Sequence, residues 1–270
     1  MPITIQGVPF HIETIGNTAL PRILFLHGFL GSGSDWLPVA RELQDEYCCV
    51  MVDLPGHGSA NLLHSASPER FFERTVDALA ELVRQTLFPP THLVGYSMGG
   101  RIALALLLRH PELFAKAIIV SASPGLRTQQ ERLERQVHDE KVARKIEHNF
   151  EGFIQFWYEQ PLFSTLKNHP LFSEVERERK VNDPHNLALA LRYLGTGMQP
   201  SLWDELNKNR VPVCFFTGEK DERYVEIGRQ MVKLSSMSEM EIFPDCGHTL
   251  QLENRELFLS RLRFFFNQQE

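Results

Sequence analysis

Gly95-Tyr96-Ser97-Met98-Gly99 stands between two telling stretches. Thr91-His92-Leu93-Val94 before it is a short, apolar, strand-like run, and Gly100-Arg101-Ile102-Ala103-Leu104-Ala105-Leu106-Leu107-Leu108 after it has the composition of a buried helix. A strand that passes into a helix through Gly-x-Ser-x-Gly carries its serine on a sharp, strained corner, a nucleophile elbow. Glycine fits at the flanking positions because the corner leaves no room for side chains. The turn lifts the serine oxygen above the sheet, beside a helix N-terminus whose N–H groups favour developing negative charge. A plain strand–helix connection would account for the glycines alone, but not for the strand and helix around them.

Outward from the elbow, strands and helices alternate. Thr4 to Ile15, broken at Gly7, reads as a hairpin. Arg22-Ile23-Leu24-Phe25-Leu26 is an apolar strand ending at His27-Gly28; Asp35 to Glu46 has helical spacing, and Cys48 to Val52 reads as the next strand. That strand runs into Asp53-Leu54-Pro55-Gly56-His57-Gly58, a loop dense in turn residues. Phe71 to Thr86 is helical, and Lys116 to Ser121 is another buried strand. From Arg127 to about Asn209 charged helical stretches and aromatics replace the alternation, which resumes with a strand at Val213 to Thr217. A helix near Tyr224 to Lys233, a strand near Met240 to Phe243 and a final helix from Glu253 complete the chain. The pattern predicts an α/β-hydrolase fold: a mostly parallel central sheet, helices on both faces and an inserted helical cap. Residues 1–126 form the first part of the core, 127–209 the cap and 210–270 the second part of the core.

The chain's 270 residues suit one large core with an insertion, and 43% hydrophobic and 23% charged content is ordinary for a globular protein. A net charge of −6 supplies no basic field for nucleic acid or an anionic membrane. Met1 to Gly7 has no basic segment followed by an apolar run, and Leu104 to Leu108 is too short to span a bilayer, so neither a signal peptide nor a membrane anchor is expected. Four cysteines in mainly strand-like segments suit buried free thiols in a reducing compartment, which predicts a cytoplasmic protein. No spacing suggests a metal site: His57 and Asp53 share a loop without further ligands. No phosphate-binding glycine loop is present, and no cofactor is expected.

A serine hydroxyl is a weak base and nucleophile until an imidazole takes its proton and a carboxylate orients that imidazole. In this fold the chain order is serine, acid, histidine. Asp221, just after the strand ending near Thr217, fits the acid; Glu219 is closer to the strand end, and Asp204 falls in the cap. His248, in Asp245-Cys246-Gly247-His248-Thr249, fits the histidine before the last helix, and is singled out from 11 histidines by position. His27-Gly28-Phe29 follows the strand expected beside the serine strand, making the backbone N–H groups of Phe29 and Met98 the natural oxyanion pair.

Leu26-His27-Gly28-Phe29-Leu30-Gly31, Asp53 to Gly58 and Val94 to Arg101 resemble the first half of the 2-succinyl-6-hydroxy-2,4-cyclohexadiene-1-carboxylate synthases. The first two motifs are widespread in α/β-hydrolases; an arginine directly after Ser-x-Gly-Gly is more selective. In the cap, Pro124-Gly125-Leu126 with Glu131 to Gln136, and Phe156-Trp157-Tyr158-Glu159-Gln160-Pro161-Leu162-Phe163, resemble that family's first cap helix and aromatic segment. Gly218-Glu219-Lys220-Asp221 and Gly247-His248 match its triad positions, so the resemblance spans nearly the whole chain. Met98 replaces the more common leucine, and the region around Asn182-Asp183-Pro184 matches loosely.

The resemblance implies a carbon–oxygen lyase of menaquinone or phylloquinone biosynthesis. Its substrate is 2-succinyl-5-enolpyruvyl-6-hydroxy-3-cyclohexene-1-carboxylate, which loses a ring proton and pyruvate. It implies Ser97 as general base kept active by His248, an enolate on the oxyanion pair, and no acyl-enzyme. Such a small-molecule polycarboxylate needs fixed cations, for which arginine offers a planar bidentate fork. Arg101 begins the helix beside the serine. Arg132 and Arg135 are three apart and could share a helix face, with Arg135 on the family's carboxylate-binding position; Arg179 is the third such cation. Tyr96 and Trp157 supply ring-facing surface. A serine hydrolase cleaving an ester or a carbon–carbon bond is the alternative, and a non-catalytic receptor on the same scaffold a third reading. Neither the quinone pathway nor the oligomeric state is legible in the chain.

Overall fold

Cys48 and Cys49 point to opposite faces of one sheet and join two different apolar clusters, as the two-residue period of a strand requires. The computed structural model describes residues 2–62 and 67–268. Eight strands form the sheet: β1 (Pro2–Ile5), β2 (Val8–Ile15), β3 (Arg22–Leu26), β4 (Cys48–Asp53), β5 (Thr91–Tyr96), β6 (Phe114–Val120), β7 (Val213–Gly218) and β8 (Ser238–Phe243). Their order is β1-β2-β4-β3-β5-β6-β7-β8. The β1–β2 and β2–β4 pairs are antiparallel and the rest are parallel. β4 and β7 are buried along their whole lengths, which is why they read as continuous apolar runs.

The helices of the first part are α1 (Leu37–Leu43), α2 (Phe71–Thr86) and α3 (Met98–Arg109). Those between β6 and β7 are α4 (Gln129–His148), α5 (Phe150–Tyr158), α6 (Ser164–Lys167), α7 (Phe172–Arg179) and α8 (Pro184–Leu194), and the last part adds α9 (Glu222–Leu234), α10 (Leu250–Glu253) and α11 (Arg255–Asn267). α2 and α3 cover one face of the sheet with Val76, Leu79, Ile102 and Leu106; α1 and α11 cover the other with Val39, Leu43, Phe258 and Leu262. A third apolar cluster lies among α4, α5 and α8 and takes in Leu30 from the loop after β3. α8 faces both ways. Leu187, Ala188 and Leu191 join that third cluster, whereas Leu189, Ala190, Tyr193 and Leu194 pack in the main core. α4 starts with a reciprocal capping box: Thr128 accepts from the Glu131 N–H while Glu131 accepts from the Thr128 N–H.

Besides shifts of one or two residues at strand ends, two helices differ from the sequence expectation. The helix expected from Asp35 begins at Leu37, after a 3-10 turn over Gly33–Trp36, and ends at Leu43. The Asp35 side chain is engaged by Arg179, as described below, rather than capping that helix. The last helix breaks at Asn254, whose side chain accepts from the Leu257 N–H at 3.1 Å and starts α11. Among the described residues no helix is long and apolar enough to cross a membrane. The four cysteines are buried and unpaired by disulfides.

Gly218 ends β7 against the loop that carries His248. A Cβ there would stand 2.1 Å from the Gly247 carbonyl oxygen and 2.4 Å from that of Cys246, both backbone atoms. Gly218→Ala is expected to lower stability by about 1–3 kcal/mol through overpacking. Urea denaturation measures it, and an unchanged midpoint would show that this loop yields freely.

Candidate active site

The elbow is built from backbone contacts. Ser97 adopts φ 50° and ψ −108°. Its N–H donates to the Val120 carbonyl on β6 at 2.9 Å, and the Gly99 N–H donates to the His27 carbonyl at 3.0 Å. A Cβ on Gly95 would meet Ala103 and the Gly99 carbonyl at 2.6 Å, and one on Gly99 would meet the Leu26 carbonyl at 2.4 Å. The glycines are therefore demanded by close approach of the elbow to α3 and β3.

Ser97, His248 and Asp221 come together although they are far apart in the chain. The Ser97 Oγ is 3.1 Å from His248 Nε2, and His248 Nδ1 is 2.7 Å from Asp221 Oδ2. A carboxylate only accepts, so the short Asp221 contact places the imidazole proton on Nδ1 and leaves Nε2 to accept from the serine hydroxyl. His248 is 2% exposed and Asp221 is also buried, so the relay is shielded from water. Glu253 fixes the histidine loop by accepting from the N–H groups of Gly247 (2.7 Å) and Thr249 (3.2 Å) and from the Thr249 hydroxyl (2.6 Å).

β3 lies directly beside β5, so the loop after it, with Phe29, faces the elbow. Phe29 and Met98 both line the cavity above Ser97. Met98 is the first residue of α3, where a backbone N–H has no intrahelical acceptor. His27 braces this loop as a neutral ring. Its Nδ1 donates to the Gly28 carbonyl at 2.8 Å while Nε2 accepts from the Leu54 N–H at 3.0 Å, and burial lowers its pKa. Asp53 holds the adjoining loop by accepting from the N–H groups of Gly33 (2.7 Å) and Ser59 (2.8 Å).

The cavity measures about 510 Å³ and lies between the sheet ends and the inserted helices. Arg101, Arg135 and Arg179 all line it. Arg101 is 8% exposed; its guanidinium donates to Gln199 Oε1 at 3.2 Å and to the Leu194 carbonyl at 2.9 Å. Both partners are neutral. Burial lowers its pKa to about 10, which leaves it cationic at neutral pH. Arg135 instead pairs with Asp139 one turn along α4, at 2.7 Å. Arg132 does not line the cavity and donates to the carbonyls of Leu126 and Arg127.

Arg179 differs from the free substrate cation that the resemblance implies. It forms a bidentate pair with Asp35 at 2.6 and 2.9 Å and reaches the Tyr158 hydroxyl at 3.4 Å. Burial disfavours its charge, but Asp35 and Tyr158 more than offset that and raise its pKa. In this structure Arg179 ties α7 to the loop after β3, with its charge already matched.

Tyr96 and Trp157 line the same cavity. Trp157 stacks edge-on against Phe29 with ring centroids 5.4 Å apart, and Tyr96 lies 5.5 Å from the His248 ring. Three contributors were not anticipated from the sequence. Tyr224, on the first turn of α9, brings its ring within 4.9 Å of His248, and burial pushes its phenol pKa up. Its place three residues after Asp221 was a usable signal. Gln199 and Glu253 gave none, because an amide in a loop and an acid near a helix are commonplace. Among the described residues no cluster of three or more His, Cys, Asp or Glu side chains converges as metal ligands would.

Comparison with known proteins places this geometry. A sequence model of the alpha/beta hydrolase fold matches residues 21–255. The chain is 35% identical over 270 residues to the chloroplastic protein PHYLLO of Arabidopsis thaliana, covering 94% of this chain and only 16% of that much longer protein. It is 30% identical over 246 residues to the 2-succinyl-6-hydroxy-2,4-cyclohexadiene-1-carboxylate synthase of Enterobacter sp. strain 638, covering 88% of this chain and 89% of the relative. The structure of MenH from S. aureus superposes with a TM-score of 0.89 at 29% identity, over 95% of this chain and 97% of that one. With its fold, its elbow and a relative matched along most of both lengths, the chain belongs to the alpha/beta hydrolase fold family and, within it, to the 2-succinyl-6-hydroxy-2,4-cyclohexadiene-1-carboxylate synthases.

Proposed function

We propose that the protein is a carbon–oxygen lyase of menaquinone or phylloquinone biosynthesis. It eliminates pyruvate from 2-succinyl-5-enolpyruvyl-6-hydroxy-3-cyclohexene-1-carboxylate to give 2-succinyl-6-hydroxy-2,4-cyclohexadiene-1-carboxylate. The observation that carries this reading is Arg101, a buried cation with only neutral partners in the cavity that also holds the Ser97–His248 contact. An esterase for neutral substrates has no use for a buried charge hydrogen-bonded only to neutral groups, which is costly to keep. A substrate with three carboxylates does.

In this mechanism Ser97 Oγ removes the ring proton next to the succinyl carbonyl, and His248 takes the serine's own proton through Nε2. Asp221 stabilises the imidazolium so formed. The electrons released collect on the succinyl oxygen, which the N–H groups of Phe29 and Met98 receive. Collapse of this enolate forms the C2–C3 double bond, shifts the existing double bond from C3–C4 to C4–C5 and breaks the bond from C5 to the enolpyruvyl oxygen. The leaving enolate takes up the proton held by His248 and becomes pyruvate. One C–H and one C–O bond break without net redox change, so the step balances with the protein's own groups. Arg101 binds one carboxylate, and Arg135 and Arg179 reach others only by releasing Asp139 and Asp35. Tyr96 and Trp157 enclose the ring. The buried, unpaired cysteines suit work in the reducing cytoplasm.

Ser97→Ala should lower kcat for pyruvate release by about 10²–10⁴-fold, the range of a lost general base. A smaller loss would leave the serine without that role. Arg101→Ala should raise KM for the tricarboxylate strongly while touching p-nitrophenyl ester turnover far less; equal losses on both would argue against carboxylate recognition.

A further inference from the structure

Four guanidinium groups line the cavity; Arg223 is exposed, and the partners of the other three divide them. Arg135 has Asp139 at 2.7 Å and Arg179 has Asp35 at 2.6 and 2.9 Å, so both meet a carboxylate. Arg101 has an amide and a backbone carbonyl. The amide belongs to Gln199, which is 0% exposed and lies in the connection between α8 and the 3-10 turn at Trp203–Lys208. Its Nε2 donates to the Ser123 carbonyl at 3.4 Å, which turns Oε1 towards Arg101 at 3.2 Å. Gly125, at φ +92°, closes over the amide so tightly that a Cβ there would stand 3.1 Å from Gln199 Cδ and Nε2. The acceptor is therefore fixed in place on two sides.

We propose that Gln199 is a specificity-determining positioning residue: a neutral acceptor that aims the Arg101 guanidinium into the cavity without consuming its charge. A carboxylate of the same length and shape would accept the same hydrogen bond. It would also form a buried ion pair with Arg101 and compete with an anionic substrate, as Asp139 and Asp35 do at Arg135 and Arg179. The choice of amide over acid at this one position leaves the Arg101 cation available. The inference rests on the proposed polycarboxylate substrate only for the identity of the natural ligand.

Gln199→Glu and Gln199→Leu separate this role from packing. Glutamate keeps the size of glutamine and the acceptor facing Arg101, adds a charge and gives up the long donation to Ser123; leucine gives up both hydrogen bonds and adds no charge. The proposal expects Gln199→Glu to fold with an undiminished melting temperature, yet to bind propane-1,2,3-tricarboxylate about tenfold more weakly or worse in calorimetry. The same variant should raise KM for pyruvate release by a similar factor, with a smaller change in kcat. Gln199→Leu should be milder in KM. The opposite order, with glutamate harmless and leucine damaging, would make Gln199 a packing residue and overturn the inference, as would failure of the unmutated protein to bind the tricarboxylate at all. Weaker tricarboxylate binding by Gln199→Glu in a protein that releases no pyruvate would sustain the inference while sinking the lyase assignment.

Discussion

Ser97 adopts φ 50° and ψ −108°, a conformation that a residue with a side chain keeps only where its surroundings over-determine it. Those surroundings are β3, β6 and α3. Val120 and His27 accept the elbow's N–H groups, and Gly95 and Gly99 allow the three elements to approach within backbone contact. The strain is thus shared among two largely buried strands and a helix. The same corner starts α3, and so it sets Met98 at a helix N-terminus and Arg101 one turn along, beside the cavity. Ser97, Met98 and Arg101 are spaced by the geometry of a single turn.

The inserted helices complete the site through charge as well as cover. The protein carries a net charge of −6, yet four arginines and Lys220 line one cavity. Arg135 and Arg179 are matched locally by Asp139 and Asp35, which lowers the cost of burying them. Arg101 is oriented by neutral groups and keeps its field. Arg179 shows that lining a site and serving it are different states: its bidentate pair with Asp35 joins α7 to the loop after β3. α8 adds a mechanical link, since one of its faces packs with the inserted helices and the other with the main core.

The strands and the elbow were legible because their signals are local. Arg22 to Leu26 and Phe71 to Thr86 match the observed β3 and α2 residue for residue, since apolar period and turn residues mark both ends. The helix expected from Asp35 starts later because a residue 144 positions away engages that side chain, which no window of sequence contains. Likewise the final helix expected from Glu253 is interrupted at Asn254, while Glu253 binds the histidine loop instead.

Chain order and strand ends by themselves picked out Ser97, Asp221 and His248, because a parallel sheet delivers its loops to one edge and the fold prescribes which loops carry which group. The arginines were legible as charges, and the resemblance to a family indicated which of them to consider. Their partners were not legible. Gln199 lies 98 positions from Arg101, and Asp35 lies 144 from Arg179. Whether a cation is free or neutralised depends on which acceptor the fold carries to within about 3 Å of it. Sequence determined the scaffold and the three side chains that meet at the elbow through local pattern, and tertiary structure alone decided the electrostatic state of the cavity, because hydrogen-bond pairing between distant segments exists only once they are folded together.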